Sequence, residues 1–196
     1  MRSTLIAFLA ALLLSPLVAQ QARLNLELPA LAARAHEVSD VTLDGAALRL
    51  GIAFLDKSDQ LGSKHPDAVA FRNLLSKLKG IYVKSFEFAA PGAVSEADLA
   101  PIRDQLRGAG WSRIVGVQSR GGGGRDAGKD ALDEVYLCTD ASSAIQGIAI
   151  LSREGNELNV VNIVGPIEPG DLEALGGHIG IPKLAMPKAK TMGGRN

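Results

Sequence analysis

Two apolar runs in the second half of the chain, residues 145–151 and 158–164, are separated by little more than the return Glu154-Gly155-Asn156. A link this short joins neighbouring strands only in antiparallel fashion, because a parallel crossover needs a dozen or more residues. A second close return at residues 140–143 sets the extended run 135–139 before them, so the three runs read as an antiparallel meander. Upstream, residues 81–88 and 111–119 are rich in Ile, Val, Tyr, Phe and Trp and read as strands. Between those two lies a helix over 95–107. Ser95 is placed to cap it, Asp98 completes a capping-box variant, and Leu99, Ile102 and Leu106 form its buried stripe. Strand, helix and strand make a candidate βαβ unit.

Three further helices are expected before that unit. Pro29 opens a short one reaching Val38, with residues 41–43 as an extended link. Asp44 caps the next, over 45–56, and Pro66 opens a third that Gly80 stops. Pro169 starts a last short helix through Leu175, stopped by Gly176 and Gly177. The expected architecture is α+β: a two-layer sandwich, with a mixed sheet of about five strands and helices mainly on one face.

Ahead of these elements stands a segment of another kind. Arg2 is followed by an apolar run over 5–14, and Ser15-Pro16 breaks that run before a small-residue site, the pattern of a secretory leader. Cleavage after Ala19 is the first choice and cleavage after Ala22 the alternative. The run is shorter than the about 20 apolar residues of a membrane span, and no cysteine follows it to carry a lipid. A soluble periplasmic or secreted protein is expected, not a lipoprotein, with 1–19 as leader, 23–181 as a single α+β domain and 182–196 as a tail. The tail carries Lys183, Lys188, Lys190 and Arg195 and no acid. Disorder is its default, with weak contact to anionic surfaces as its functional reading.

Composition removes several function classes. Lys plus Arg and Asp plus Glu are equal at 21 each, and aromatic residues are 4%, against a dedicated nucleic-acid binder. The single cysteine, Cys138, excludes a disulfide framework and reads as a small apolar side chain in a strand. His36, His65 and His178 have no ligand partner at helical spacing, so no metal or other cofactor is expected. Residues 123–129 match the start of a phosphate-binding loop, but Asp130 stands where a Ser or Thr should hold magnesium, and a strand rather than a helix follows. A flexible hairpin loop explains the glycines. Neither a G-x-S-x-G elbow nor a pair of carboxylates set for glycoside cleavage is present. No catalytic residue is assigned and the protein is not read as an enzyme.

Two apolar surfaces remain as candidates for contact with a partner. The helix from Ala46 to Leu55, which includes Phe54, has Arg49 as its one charged position, so it is either buried on several sides or meets another molecule. On the strand at 81–88, alternation puts Tyr82, Lys84, Phe86 and Phe88 on one face. Phe54, Tyr82, Phe86 and Phe88 are therefore the candidate partner-surface residues. The alternative is a small-ligand or lipid carrier with a gap between sheet and helices.

The block at 74–88, the helix residues 102–106 with the strand start at 111–115, and the late segment 158–167 together resemble the bacterial family catalogued as domain of unknown function 4252. The likeness spans about 38–175 and rests on packing and turn residues, so it transfers no catalytic residue to this chain. It implies a small exported protein and hints at envelope signalling, with an anti-sigma factor as one partner of that kind. Unlike the lipoprotein members, this chain lacks a cysteine after its leader.

Overall fold

The computed structural model describes residues 22–57, 66–119 and 131–171. In chain order the elements are α1 (Pro29–Ala32), β1 (Glu37–Asp44), α2 (Gly45–Lys57), α3 (Pro66–Lys77), β2 (Gly80–Glu87), α4 (Glu96–Leu106), β3 (Trp111–Ser119), β4 (Ala131–Thr139), β5 (Ile145–Glu154) and β6 (Glu157–Ile167). The strands form one six-stranded sheet in the order β1-β2-β6-β5-β4-β3. The leader, the glycine-rich loop, His65, His178, most of the final helix and the basic tail fall outside the described residues.

Every adjacent pair in the sheet is antiparallel, so the sheet is not mixed. The expected meander is present as β4-β5-β6, and β3 joins it through a hairpin. The βαβ reading fails because β6 takes the place beside β2. After α4 the chain therefore resumes at the far edge, and β3 shares a direction with β2 but is separated from it by β6, β5 and β4. Strand, helix and strand in sequence fix a direction, not a neighbour.

The sixth strand is β1, over residues expected to be helix and link. Helix α1 is a single turn, and its chain pairs with β2 from Glu37↔Glu87 to Asp44↔Gly80. As an edge strand with six of its eight residues exposed, β1 needs no regular apolar alternation. Its sequence carries none.

Side-chain alternation divides the sheet into two faces, and helices pack on both rather than mainly on one. On the first face Phe86, Leu151, Leu158 and Val160 pack with Leu99, Ile102 and Leu106 of α4 and with Leu24, Leu28 and Leu31 from the N-terminal segment. On the second, Ile81, Val135, Ile148, Ile150, Val161 and Ile163 pack with Leu48 of α2 and Leu74, Leu75 and Leu78 of α3. The α4 capping box forms as expected, with Ser95 Oγ accepting from the Asp98 amide and the Asp98 carboxylate accepting from the Ser95 amide. The turn from α3 into β2 crosses β6 closely. A Cβ on Gly165, at φ +144°, would lie 2.8 Å from the Leu78 Cα, so this position is restricted to glycine.

The segment preceding α1 is an extended strap over the first face. Two side-chain amides grip its backbone. Asn162 Oδ1 accepts from the Leu24 amide at 2.9 Å, and Asn162 Nδ2 donates to the Ala22 carbonyl at 3.0 Å. Further along, Gln105 Oε1 accepts from the Asn25 amide at 2.8 Å and its Nε2 donates to the Asn25 carbonyl at 3.0 Å.

Candidate interaction surface

The strap and α4 decide what becomes of the aromatic strand face. Tyr82, Phe86 and Phe88 do share a face, as alternation requires, but they are 8%, 1% and 2% exposed. They are core residues beneath the strap and α4, and none is available as a partner surface. Arg23, exposed on the strap, lies 4.4 Å over the Tyr82 ring and closes that end. Lys84, on the same face, pairs with Asp40 of β1 at 2.5 Å. The side chain of Phe54 lies outside the described residues.

Helix α2 behaves differently. Of its described positions, Leu48 is buried and Ile52 half-buried, four residues apart on the side facing the sheet. Ala46, Ala47, Arg49, Leu50, Gly51 and Ala53 are exposed, and Leu50 is 73% exposed. An ordinary amphipathic helix would turn Lys, Glu or Gln outward there. This one presents Leu50 among the exposed Ala46, Ala47, Gly51 and Ala53, with Arg49 as the charged neighbour. The question the sequence leaves open, burial or contact surface, resolves towards exposure for these residues.

The most buried charge in the described residues is Glu134 on β4, 3% exposed. Its carboxylate accepts from Arg103 Nε at 3.1 Å and Nη2 at 3.2 Å, from Arg113 Nη1 at 2.9 Å and from the Tyr136 hydroxyl at 3.1 Å. Burial pushes the carboxyl upward, but the Arg103 pair, with Tyr136 and Arg113, outweighs it and holds the group below the usual range. Arg103 stands on α4, so its pair with Glu134 ties that helix to the sheet, and a second pair with Glu96 lies within the helix. Both carboxylate oxygens are taken up by donors from α4, β3 and β4, which draws these three elements together. This cluster is a clasp.

The other candidate reactive groups are equally committed. Cys138 is 1% exposed, packed with Ala22, Tyr82 and Val164, and burial followed by the nearby Asp140 charge pushes its thiol up. Asp140 accepts from Ser142, Ala144 and Gln146 and shapes the β4–β5 turn. The exposed His36 donates its amide to the Glu87 carbonyl at 2.7 Å as β1 begins. Among the described residues no group of His, Cys, Asp and Glu is placed to hold a metal ion.

Two shallow grooves flank β1. One, of about 390 Å³, runs between the strap and β1 and is lined by Arg23, Asn25, Glu27, Asp40, Thr42 and Tyr82. The other, of about 170 Å³, lies on the part of the second face that α2 and α3 leave uncovered, among Glu37, Ser39, Ser85, Glu87, Glu157 and Asn159. There Glu37↔Glu87, Glu87↔Glu157 and Glu154↔Glu157 are direct cross-strand partners, a row of like charges over four strands.

A family profile described as domain of unknown function (DUF4252) matches residues 33–175. The chain belongs to this family. The matched region takes in every strand of the sheet and helices α2 to α4, while the strap lies ahead of it. No curated protein and no solved structure matches the chain. Within the described residues of this DUF4252 member, Leu50 on the outer side of α2 is the most exposed large hydrophobic residue, ahead of Val117 and Ile114 on the edge strand β3. No described helix is long and apolar enough to cross a membrane.

Proposed function

We propose that the protein is an exported, non-enzymatic interaction protein of the bacterial cell envelope, and that the outer side of α2 is its contact surface. The observation that carries this reading is Leu50, 73% exposed on a helix in which Arg49 is the one charged residue before Asp56. An apolar face that no element among the described residues covers is a candidate site for another molecule. Its small residues suit a partner that presents a helix, and an envelope protein such as an anti-sigma factor is the partner class in view. Export is supported by the leader pattern at 1–19, and the buried ion pairs and thiol offer no reactive group.

The ligand-carrier alternative draws less support, because both grooves beside β1 are open and lined largely by polar side chains. The test is chemical cross-linking in the protein's own envelope with wild type and Leu50→Lys. Loss of one reproducible cross-linked partner in the variant, with the thermal midpoint unchanged, supports the surface. An identical cross-linking pattern in both overturns it.

A further inference from the structure

Two leader cuts are open, after Ala19 and after Ala22, each with Ala before the cut and a larger residue, Leu17 or Gln20, two places earlier, and they differ by Gln20, Gln21 and Ala22. The fold distinguishes between them. Ala22 is 0% exposed and packs with Tyr82, Cys138 and Val164. The sheet opposite has no side chain at that point: a Cβ on Gly147 of β5 would lie 3.0 Å from the Ala22 Cβ and 3.4 Å from its carbonyl oxygen. Asn162, itself 0% exposed, is turned towards the same residue and donates to the Ala22 carbonyl at 3.0 Å. A glycine, a buried amide and a small apolar pocket are thus all arranged around Ala22.

A chain beginning at Arg23 would lose each of these contacts. Asn162 Nδ2 would keep only the Ile148 carbonyl at 3.2 Å, and the space over Gly147 would be empty. Stripping a partner from a buried amide is costly.

From this geometry we infer that the leader is removed ahead of Ala22, at the Ala19–Gln20 bond, and that Ala22 stays in the mature protein as an anchor of the strap. The inference rests on the export reading. The reaction is hydrolysis by a leader peptidase: water adds its hydroxyl to the Ala19 carbonyl carbon, the peptide bond breaks, and Gln20 takes the proton on its new amine.

The test is the intact mass and N-terminal sequence of the full 196-residue chain expressed with its own leader and recovered from the periplasm or medium of a bacterial host. A chain starting at Gln20 is expected. A chain starting at Arg23 overturns the assigned cut while leaving export standing. A chain retaining Met1 overturns export, and the assigned cut with it. As an independent arm, deleting Gln20, Gln21 and Ala22 behind the same leader should lower the thermal midpoint of the exported protein by about 4 °C or more. An unchanged midpoint would show that Ala22 anchors nothing, which also overturns the inference.

Discussion

Asn162 and Ala22 are 140 residues apart and share a buried hydrogen bond of 3.0 Å. Through it the last strand of the sheet holds the first described residue of the chain, and the same side chain accepts from Leu24 at 2.9 Å. One amide from the sheet therefore does for the strap what a neighbouring strand would do by backbone pairing. Replacing Asn162 with Leu, of similar size, leaves the Leu24 amide and the Ala22 carbonyl buried without this partner. The expected loss of stability is about 1–3 kcal/mol by urea unfolding. A loss below about 0.5 kcal/mol would mean that the strap is not fixed to the sheet at this point.

Glu134 gives the molecule an acid limit. Its folded-state pKa is depressed, so the stability it contributes is complete above its ordinary value of 4.5 and is lost as pH falls through the folded value. Asp98, in the capping box, is subject to burial that pushes upward but is held low by Ser95 and Arg34, and it acts in the same direction. Stability should be level from neutral pH to about 4.5 and decline below it. Glu134→Ala should cost about 1–3 kcal/mol at pH 7, because the Tyr136 hydroxyl loses its acceptor and Arg103 keeps only Glu96. In chemical unfolding at a series of pH values, the variant should show a shallower acid decline than the wild type.

The row of glutamates on the uncovered half of the second face works against stability. Glu87 has Glu37 on one side and Glu157 on the other. Like charges directly opposite in a sheet are unfavourable by a few tenths of a kcal/mol or more. Glu87→Gln should therefore raise stability by about 0.2–1 kcal/mol, an effect that shrinks at high salt. An unchanged or lower thermal midpoint in low-salt buffer would contradict it.

Much of the fold was legible in the sequence because the signals there are local. Ser95 and Asp98 mark the start of α4, Leu99, Ile102 and Leu106 mark its stripe, and the returns at Asp140 and Gly155 dictate the meander. Strand β1 escaped notice because Val38, Val41 and Leu43 break the period-two rule, and an exposed edge imposes none. The strap was overlooked despite a signal that could have found it, since Leu24, Leu26 and Leu28 alternate with Arg23, Asn25 and Glu27. That omission had a consequence for the candidate site. With no strap to cover the sheet, Tyr82, Phe86 and Phe88 looked like an open aromatic face, whereas the strap and α4 bury them. The exposure of α2 could not be read from its composition, because an apolar helix has the same sequence whether a partner covers it or the core does.

At Leu50 the energetic expectation is as important as the functional one. A side chain 73% exposed contributes little to folding, so Leu50→Lys should shift stability by no more than about 0.5 kcal/mol. A larger loss would mean that the residue is covered within the molecule and is not a contact surface.

The central claim is that α2 meets another protein, and site-specific photo-cross-linking tests it most directly. A photoreactive residue placed at position 50, with one at the exposed Gln118 of β3 as control, would be irradiated in the intact envelope. The account predicts one discrete adduct from position 50, identifiable by mass spectrometry, that position 118 does not give. No adduct from position 50, or the same products from both positions, would contradict it.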